Sequence, residues 1–350
     1  MLASDLYNKL SPFAFLCNKN ALSSAYQVLH ITPTSVRGCA AFGIMEVEVA
    51  LDDIKDFYID ADTFLSILKN LPNAELELSL KDKVLHWLCG PARGQYACKD
   101  QVTMPELKWE KTPSTELPSD FSKNLELGSL ACGTTALLSV GLYGTVLENN
   151  SELCAYASDD TTISCCQLSE GIEDSVEKAT FSPDACRLLG VITNRNKAAL
   201  AIDATTLYCQ TSDTKLILKQ IPPLKQDINN ALENFQKSDI SISLNREVIK
   251  AFIARAEALT EEKGRAVVTI SVEDRATQLR FVENTSITEQ FYLVEDAPDI
   301  KVPPIAIEAR RLSKALAHSK EIIFDYAEKR VLILRGDNEF QFVIMGKRQQ

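Results

Sequence analysis

A short amphipathic helix followed by three strand-like runs occurs three times along this chain. The copies begin at Ile59 (IDADTFLSILKNL), Phe181 (FSPDACRLLGVI) and Ile307 (IEARRLSKALAH). In the first copy Phe64, Leu65, Ile67, Leu68 and Leu71 fall at helical spacing. Asp60 is placed to cap this helix, and Asp62 adds negative charge to its first turn, where the helix dipole favours it. Pro72 and Asn73 end it. Strand-like runs then start at Ala74 (AELELSL), Val84 (VLHWLC) and Gln95 (QYACK). The first alternates, with Leu76, Leu78 and Leu80 on one face and Glu75, Glu77 and Ser79 on the other. That pattern predicts an antiparallel strand with one wet side.

The second copy has Ser182 as cap, Pro183 at the first helical position, and Cys186, Leu188, Leu189 and Ile192 as the apolar stripe. Its strands start at Ala198, Thr206 and Leu216. In the third, Glu308 opens the helix and Leu312, Ala315 and Leu316 form the stripe, with strands from Glu321, Arg330 and Phe340. Each copy follows a less regular half that begins near Asp5, Leu130 or Asn245. The third of these halves is the clearest: NREVIKAFIARAEAL, then AVVTISVE, TQLRFVE and ITEQFYLVE.

The copies are offset by 122 residues (59 to 181) and 126 residues (181 to 307). That is too long for a solenoid repeat of ~20–50 residues and suits a small domain. Lys108–Asp120 and Ile221–Asp239 are Pro-containing and polar, and read as linkers. The expected division is 1–114, 119–226 and 236–350. The expected class is α+β: three similar domains, each of two helices packed on antiparallel sheets. A chain of three like domains is expected to work through their arrangement and not through one catalytic pocket.

Composition adds less. Of 350 residues, 45% are apolar and 24% charged, as in a globular protein with ample core. No apolar run approaches the ~20 residues of a membrane span, and no secretory signal opens the chain, so a cytoplasmic protein is expected. The ten cysteines are scattered without a C-x-x-C pair, and read as reduced core residues. His30, His86 and His318 are too dispersed to suggest a metal site, and no cofactor motif is present.

The formal net charge of −11 argues against nucleic acid as a partner until its distribution is considered. The predicted helices carry Lys9, Lys69, Arg187, Arg246, Lys250, Arg255, Arg310, Arg311 and Lys314, and Arg195 follows the helix of the second copy. Acidic residues gather on strands and loops, among them Asp52, Asp53, Glu75, Glu77, Asp159, Asp160, Glu261, Glu262, Glu295 and Asp296. A predicted helix after Ser129 (SLACGTTALLSVGL) has no basic residue. The segregation matches a ring with a basic lining and an acidic exterior, and also the ordinary habit of Lys and Arg on solvated helices.

Three features together resemble the bacterial β-type DNA sliding clamps, the processivity factors of replicative polymerases, and in particular a divergent phage member. These are the triplication across the whole chain, the order from Asp60 to Leu107 (LKNLP, then ELELSL, then MPEL), and the closing strand FQFVIMGKRQQ. The stretch VIKAFIARAEALTEEKGRAVVTISVE also resembles the opening of the family's third domain. The resemblance implies a DNA-clamp fold and a head-to-tail homodimer closing into a ring of six domains around duplex DNA. The basic residues named above would face the DNA, sequence-independently. It implies no chemistry and no cofactor. Polymerase and clamp loader would dock short peptide motifs in an apolar pocket. Carried over by position, that pocket takes Leu142, Ser158, Asp160, Thr161, Thr162, Ile163, Pro222, Val343, Ile344 and Met345. The turn SDDTTI lacks the Gly, His and Arg usual in the family, and the tail MGKRQQ lacks its Pro and terminal Leu. Val343–Met345 also read simply as strand core.

Two other readings stand beside this one. A clamp-fold decoy or inhibitor would share the fold without encircling DNA. An enzyme could use Cys17, Cys89, Cys154 or Cys209 as nucleophile, or Asp159–Asp160 as metal ligands. No nucleotide-binding loop or nucleophile elbow supports the enzyme, and adjacent carboxylates in SDDTT suit an exposed turn.

Overall fold

The structure is a computed structural model. It describes residues 1–51, 54–132, 144–159, 161–171, 178–195, 197–222, 232, 241–243, 245–260, 266–273, 276–284, 287–293, 301–325 and 331–346, with backbone alone for 242, 243, 283, 284, 287–293, 324 and 325.

The first repeat runs α1 (Ala3–Leu10), α2 (Phe13–Leu16), β1 (Val28–Ile31), β2 (Ser35–Ala40), β3 (Gly43–Glu48), β4 (Phe57–Asp60), α3 (Ala61–Asn70), β5 (Leu76–Lys81), β6 (Val84–Cys89) and β7 (Ala92–Ala97). The second runs β8 (Thr115–Glu116), α4 (Phe121–Gly128), β9 (Thr145–Asn149), β10 (Glu152–Ser158), β11 (Thr162–Glu170), β12 (Lys178–Phe181), α5 (Pro183–Thr193), β13 (Ala199–Ile202), β14 (Thr206–Gln210) and β15 (Thr214–Lys219). The third runs β16 (Ser241–Ser243), α6 (Arg246–Leu259), β17 (Val267–Glu273), β18 (Ala276–Asn284), β19 (Ile287–Leu293), β20 (Val302–Glu308), α7 (Ala309–Leu316), β21 (Ser319–Asp325), β22 (Val331–Gly336) and β23 (Gln341–Met345).

The helix starts follow from local chemistry. Asp60 Oδ1 accepts the Thr63 amide at 2.9 Å, Ser182 Oγ the Ala185 amide at 3.2 Å, and Asn245 Oδ1 the Val248 amide at 3.3 Å. Each satisfies a backbone donor that the first helical turn would otherwise leave open. Glu308 opens α7 without such a bond, and its carboxylate accepts from Arg311 Nε at 2.8 Å instead.

The chain divides into two compact units. Unit 1 comprises Met1–Lys123, Asn149–Ser151 and Ser169–Pro222. Its larger sheet has the order β4-β1-β2-β3-β15-β14-β13-β8, and β5-β6-β7 form a second sheet. Unit 2 comprises Asn124–Glu148, Glu152–Leu168 and Pro223–Gln350. There β9-β10-β11-β23-β22-β21-β16 run in order through one sheet, and β19-β18-β17-β20 form another. In unit 2 the core lies between the sheets and helices α6 and α7. Phe252 and Ile253 pack there with Val268, Phe281, Leu312 and Phe342.

One wiring rule recurs. Each first half places three consecutive strands in order (β1-β2-β3, β9-β10-β11, β17-β18-β19), and each second half does the same (β5-β6-β7, β13-β14-β15, β21-β22-β23). The last strand of a first half joins the last strand of a second half. In unit 1 β3 pairs antiparallel with β15, from Gly43↔Leu218 to Val47↔Thr214. In unit 2 β11 pairs with β23, from Thr162↔Ile344 to Cys165↔Gln341. Among the described residues the third such pair, β7 and β19, ends its sheets unjoined.

Gly43 shows how close the first joint is. A Cβ there would stand 2.6 Å from the carbonyl oxygen of Ile217 and 2.9 Å from Leu218 Cδ2. Gly43→Val is expected to destabilise the protein by about 1–3 kcal/mol through overpacking, measured as a loss of thermal stability.

Three sequence expectations shift. Among the described residues the first half of the second repeat has the helix Phe121–Gly128, with Phe121, Asn124, Leu125 and Gly128 as its inner stripe. Residues 133–143 of the segment predicted after Ser129 lie outside the described residues. The Lys108–Asp120 linker is stitched down. β8 within it pairs with β13 at Glu116↔Ala199, Trp109 meets Tyr208 edge-on at 5.4 Å, and Lys111 Nζ donates to the Ile202 carbonyl at 3.0 Å. In the Ile221–Asp239 segment Leu232 is buried in an apolar cluster of unit 2.

Candidate functional site

The basic residues do not form an even lining. Helices α1, α3, α4 and α5 each carry one acid and one base: Asp5 and Lys9, Asp62 and Lys69, Lys123 and Glu126, Asp184 and Arg187. Together α6 and α7 carry six bases (Arg246, Lys250, Arg255, Arg310, Arg311, Lys314) against two acids, Glu247 and Glu257. Positive charge is therefore concentrated on the helix pair of the third repeat. Lys250, Arg255, Arg310 and Lys314 are exposed there. The Nζ of Lys250 stands 3.2 Å from Glu247, an exposed pair one helical turn apart that contributes little.

Several of the ten residues expected to face DNA make contacts within their own unit. Lys9 Nζ lies 3.2 Å from Asp213 Oδ2. Arg195 donates to the Asn8 carbonyl and to Ser11 Oγ, the latter at 3.0 Å. Arg311, only 26% exposed, donates from Nη1 to Asp159 Oδ2 at 2.5 Å and to Thr162 Oγ1 at 3.3 Å, and from Nε to Glu308. Its guanidinium is occupied by these three partners. Arg246 Nη1 donates to the Ala317 carbonyl at 3.2 Å and is half-buried. Lys69 and Arg187 are exposed, each on a helix whose acid balances its charge.

The expected partner pocket divides between the two faces of one sheet. Ile163 and Val343 are register partners on the face away from the helices. There they pack with Leu232, Ile323, Val331 and Ile333, and half-buried Val146, Tyr156 and Met345 surround the cluster. Ile344 points the other way, into the core with Phe252 and Leu312, because adjacent strand residues face opposite sides. It is core, not pocket. Leu142 and Asp160 lie outside the described residues, and Pro222 belongs to unit 1.

The turn beside this patch is tightly organised. Asp159 Oδ1 accepts the amides of Thr161 at 2.8 Å and Thr162 at 2.7 Å. Buried Ser158 donates to the Thr162 carbonyl at 3.0 Å, and the Met345 amide donates to the Thr161 carbonyl at 2.9 Å. Burial works against ionised Asp159. The amide of Thr161, the side chain of Thr162 and Arg311 outweigh it and hold the carboxyl below its usual value. A depressed acid contributes stability that is full above the unfolded pKa, ~4, and is lost as pH falls through the lower native value. Asp159→Asn should therefore lower the melting temperature at neutral pH, with the gap to wild type closing as the solution is acidified through that range.

The unjoined edges have their own signature. On β6 and β7 the helix-side positions Trp87 and Tyr96 are half-buried, as are Leu78 and Leu80 on β5. Their counterparts at the two joints are closed: Leu207, Cys209, Leu216 and Leu218 are 0% exposed, and Leu332, Leu334, Phe342 and Ile344 are at most 1%. Trp87 lies over Gly94 of the edge strand, where a Cβ would stand 2.2 Å from its ring.

All ten cysteines are free thiols. Burial pushes Cys209 up to about 12 and Cys154 up to about 11, and raises Cys17 as well, away from the thiolate that a nucleophile needs. Among the described residues no group of three or more His, Cys, Asp or Glu could hold a metal, and no helix is long and apolar enough to cross a membrane.

No family model and no curated protein matches the sequence. Solved structures do match. The DNA polymerase III β subunit of Thermotoga maritima is 14% identical, with a TM-score of 0.86 over 100% of this chain and 99% of that one. The DNA polymerase sliding clamp of Bacillus subtilis is 17% identical, with a TM-score of 0.85 over 100% and 98%. The DNA polymerase III β subunit of Pseudomonas aeruginosa is 15% identical, with a TM-score of 0.83 over 100% and 99%. The resemblance read from the residues thus holds at the level of architecture: this chain has the α+β fold of the DNA polymerase III β sliding clamps, in a widely diverged sequence.

Proposed function

We propose that this protein is a DNA sliding clamp, and that two copies close head to tail into a ring that encircles duplex DNA and tethers a replicative polymerase. The observation that carries the reading is the pair of unjoined strands, β7 and β19. Both other pairs of this kind are joined within the chain. A second copy supplies β19 to β7 and β7 to β19, so the joint forms twice and neither of these two strands is left unpaired. The half-buried Tyr96 on β7 and Trp87 on β6 agree, since such a joint would cover them.

In this reading the chain forms three domains, 1–114, 119–226 and 236–350, and the dimer six. The helices face the DNA, with Lys250, Arg255, Arg310 and Lys314 as the principal phosphate contacts and Arg246, Lys69 and Arg187 as lesser ones. Such contacts carry no sequence information, which suits sliding. The protein does no chemistry and takes no cofactor. It acts in the cytoplasm by topology: a polymerase bound to a linked ring rebinds at high effective concentration before it diffuses away. Polymerase and clamp loader dock short peptide segments on the patch around Ile163, Val343, Met345 and Tyr156.

The test is primer extension on a primed circular template by the polymerase and loader of the same replisome, with and without this protein. Longer products that require both protein and loader are expected. Product lengths indifferent to the protein would overturn the reading.

A further inference from the structure

Arg311 stands in a basic helix yet spends its guanidinium on acceptors within its own unit. Arg310 and Lys314 on the same two turns are exposed, whereas Arg311 is 26% exposed and joined to Asp159, Thr162 and Glu308. Asp159 in turn holds the Thr161 and Thr162 amides, and the Thr161 carbonyl takes the amide of Met345 at the rim of the apolar patch. An unbroken series of bonds therefore runs from α7 to that patch.

We propose that Arg311 is a positioning residue for the partner-docking surface: its fork fixes Asp159 and Thr162, Asp159 fixes the amides of Thr161 and Thr162, and Thr161 fixes the Met345 edge of the patch. The part concerning partners rests on the reading of that patch given above. The part concerning Arg311 does not. The planar fork explains the residue type. Nη1 donates to Asp159 and Thr162 while Nε, on another edge of the same plane, donates to Glu308, a spread of donors that a lysine ammonium cannot reproduce. Glu308 fits the same scheme. It forgoes the capping bond its position offers and braces Arg311 instead.

The experiment compares the full-length protein with Arg311→Ala, Arg311→Lys, Asp159→Asn and Arg310→Ala. Two readouts are taken: hydrogen exchange at the amides of Thr161, Thr162 and Met345, and the salt dependence of binding to a short DNA duplex. Arg311→Ala is expected to speed exchange at those amides by roughly tenfold or more and to leave the salt slope at the wild-type value. Arg311→Lys recovers part of the protection. Asp159→Asn keeps an acceptor for the turn amides but removes the negative charge that holds Arg311, and should loosen the same amides if Arg311→Ala fails to fold. Arg310→Ala does the converse, lowering the slope by ~0.9 per lost phosphate contact with exchange at the turn unchanged. A lowered slope with wild-type exchange in Arg311→Ala would overturn the proposal, as would loss of protection spread evenly through unit 2. If Arg310→Ala leaves the slope unchanged, the DNA-facing reading of α7 fails, and the exchange data still decide the role of Arg311.

Discussion

Reversing the charge at Lys250, Arg255, Arg310 and Lys314 together is expected to abolish binding to duplex DNA at physiological salt. These four hold most of the positive charge on α6 and α7, and among the described residues helices α1, α3, α4 and α5 offer no surplus to replace it. Each phosphate contact contributes ~0.9 to the slope of log affinity against log salt, so losing four costs orders of magnitude before repulsion is counted. The matched control is Lys69→Glu with Arg187→Glu. Those residues sit on helices where Asp62 and Asp184 already neutralise them, so the control should weaken binding far less. The measurement is affinity for a duplex across a salt series, with thermal unfolding to show that each variant folds. All four altered positions are exposed, so little change in stability is expected.

Tyr96→Asp is expected to convert the protein from dimer to monomer. Tyr96 lies opposite Leu85 on the helix side of β7, half-buried in the chain alone. The corresponding side chains at the two joints within the chain are almost fully buried. If a second copy completes the third joint, Tyr96 goes into a packed interface twice per ring, and a carboxylate there must be desolvated without a partner. The cost is at least about 2 kcal/mol at each interface, roughly 30-fold in affinity for each. Sedimentation equilibrium reads the result directly. Wild type should have twice the 38.8 kDa chain mass, and the variant should have that mass alone at the same concentration. Because Tyr96 is already partly solvated in the single chain, the monomer should unfold near the temperature of its own subunit fold.

What the sequence made legible was local. VLHWLC reads as a strand from Val84 to Cys89 and is one, because β-branched and aromatic residues are bounded there by turns. Asp60 and Ser182 act as caps because a cap needs only a side chain and an amide three residues on. The triplication is visible because each helix and its strands repeat one apolar pattern. The losses have physical causes too. β8 is two residues long and exists only because β13 is there to pair with it. Phe121–Gly128 shows a helical stripe, but the Pro-containing context next to it and the longer apolar run after Ser129 mask it.

A charge map read from sequence does not show long-range pairing. Arg195 and Arg311 are indistinguishable in sequence from Lys314, yet their partners lie 187 and 152 residues away. Ile344 could have been separated from Val343 by strand alternation alone, which sends neighbouring residues to opposite faces. The patch itself was found through family position, and its acidic, Arg311-braced turn departs from the family's usual residues there.

In the proposed function the protein holds DNA by enclosing it. The direct test lets the protein thread onto linear duplex, closes the ends by ligation, raises the salt to about 0.5 M, where phosphate contacts alone are weakened by orders of magnitude, and separates bound from free protein by gel filtration. A closed ring predicts that protein stays with the circle and is released when a single cut relinearises it. Retention that survives the cut, or dimeric protein that leaves circle and line alike, would contradict it.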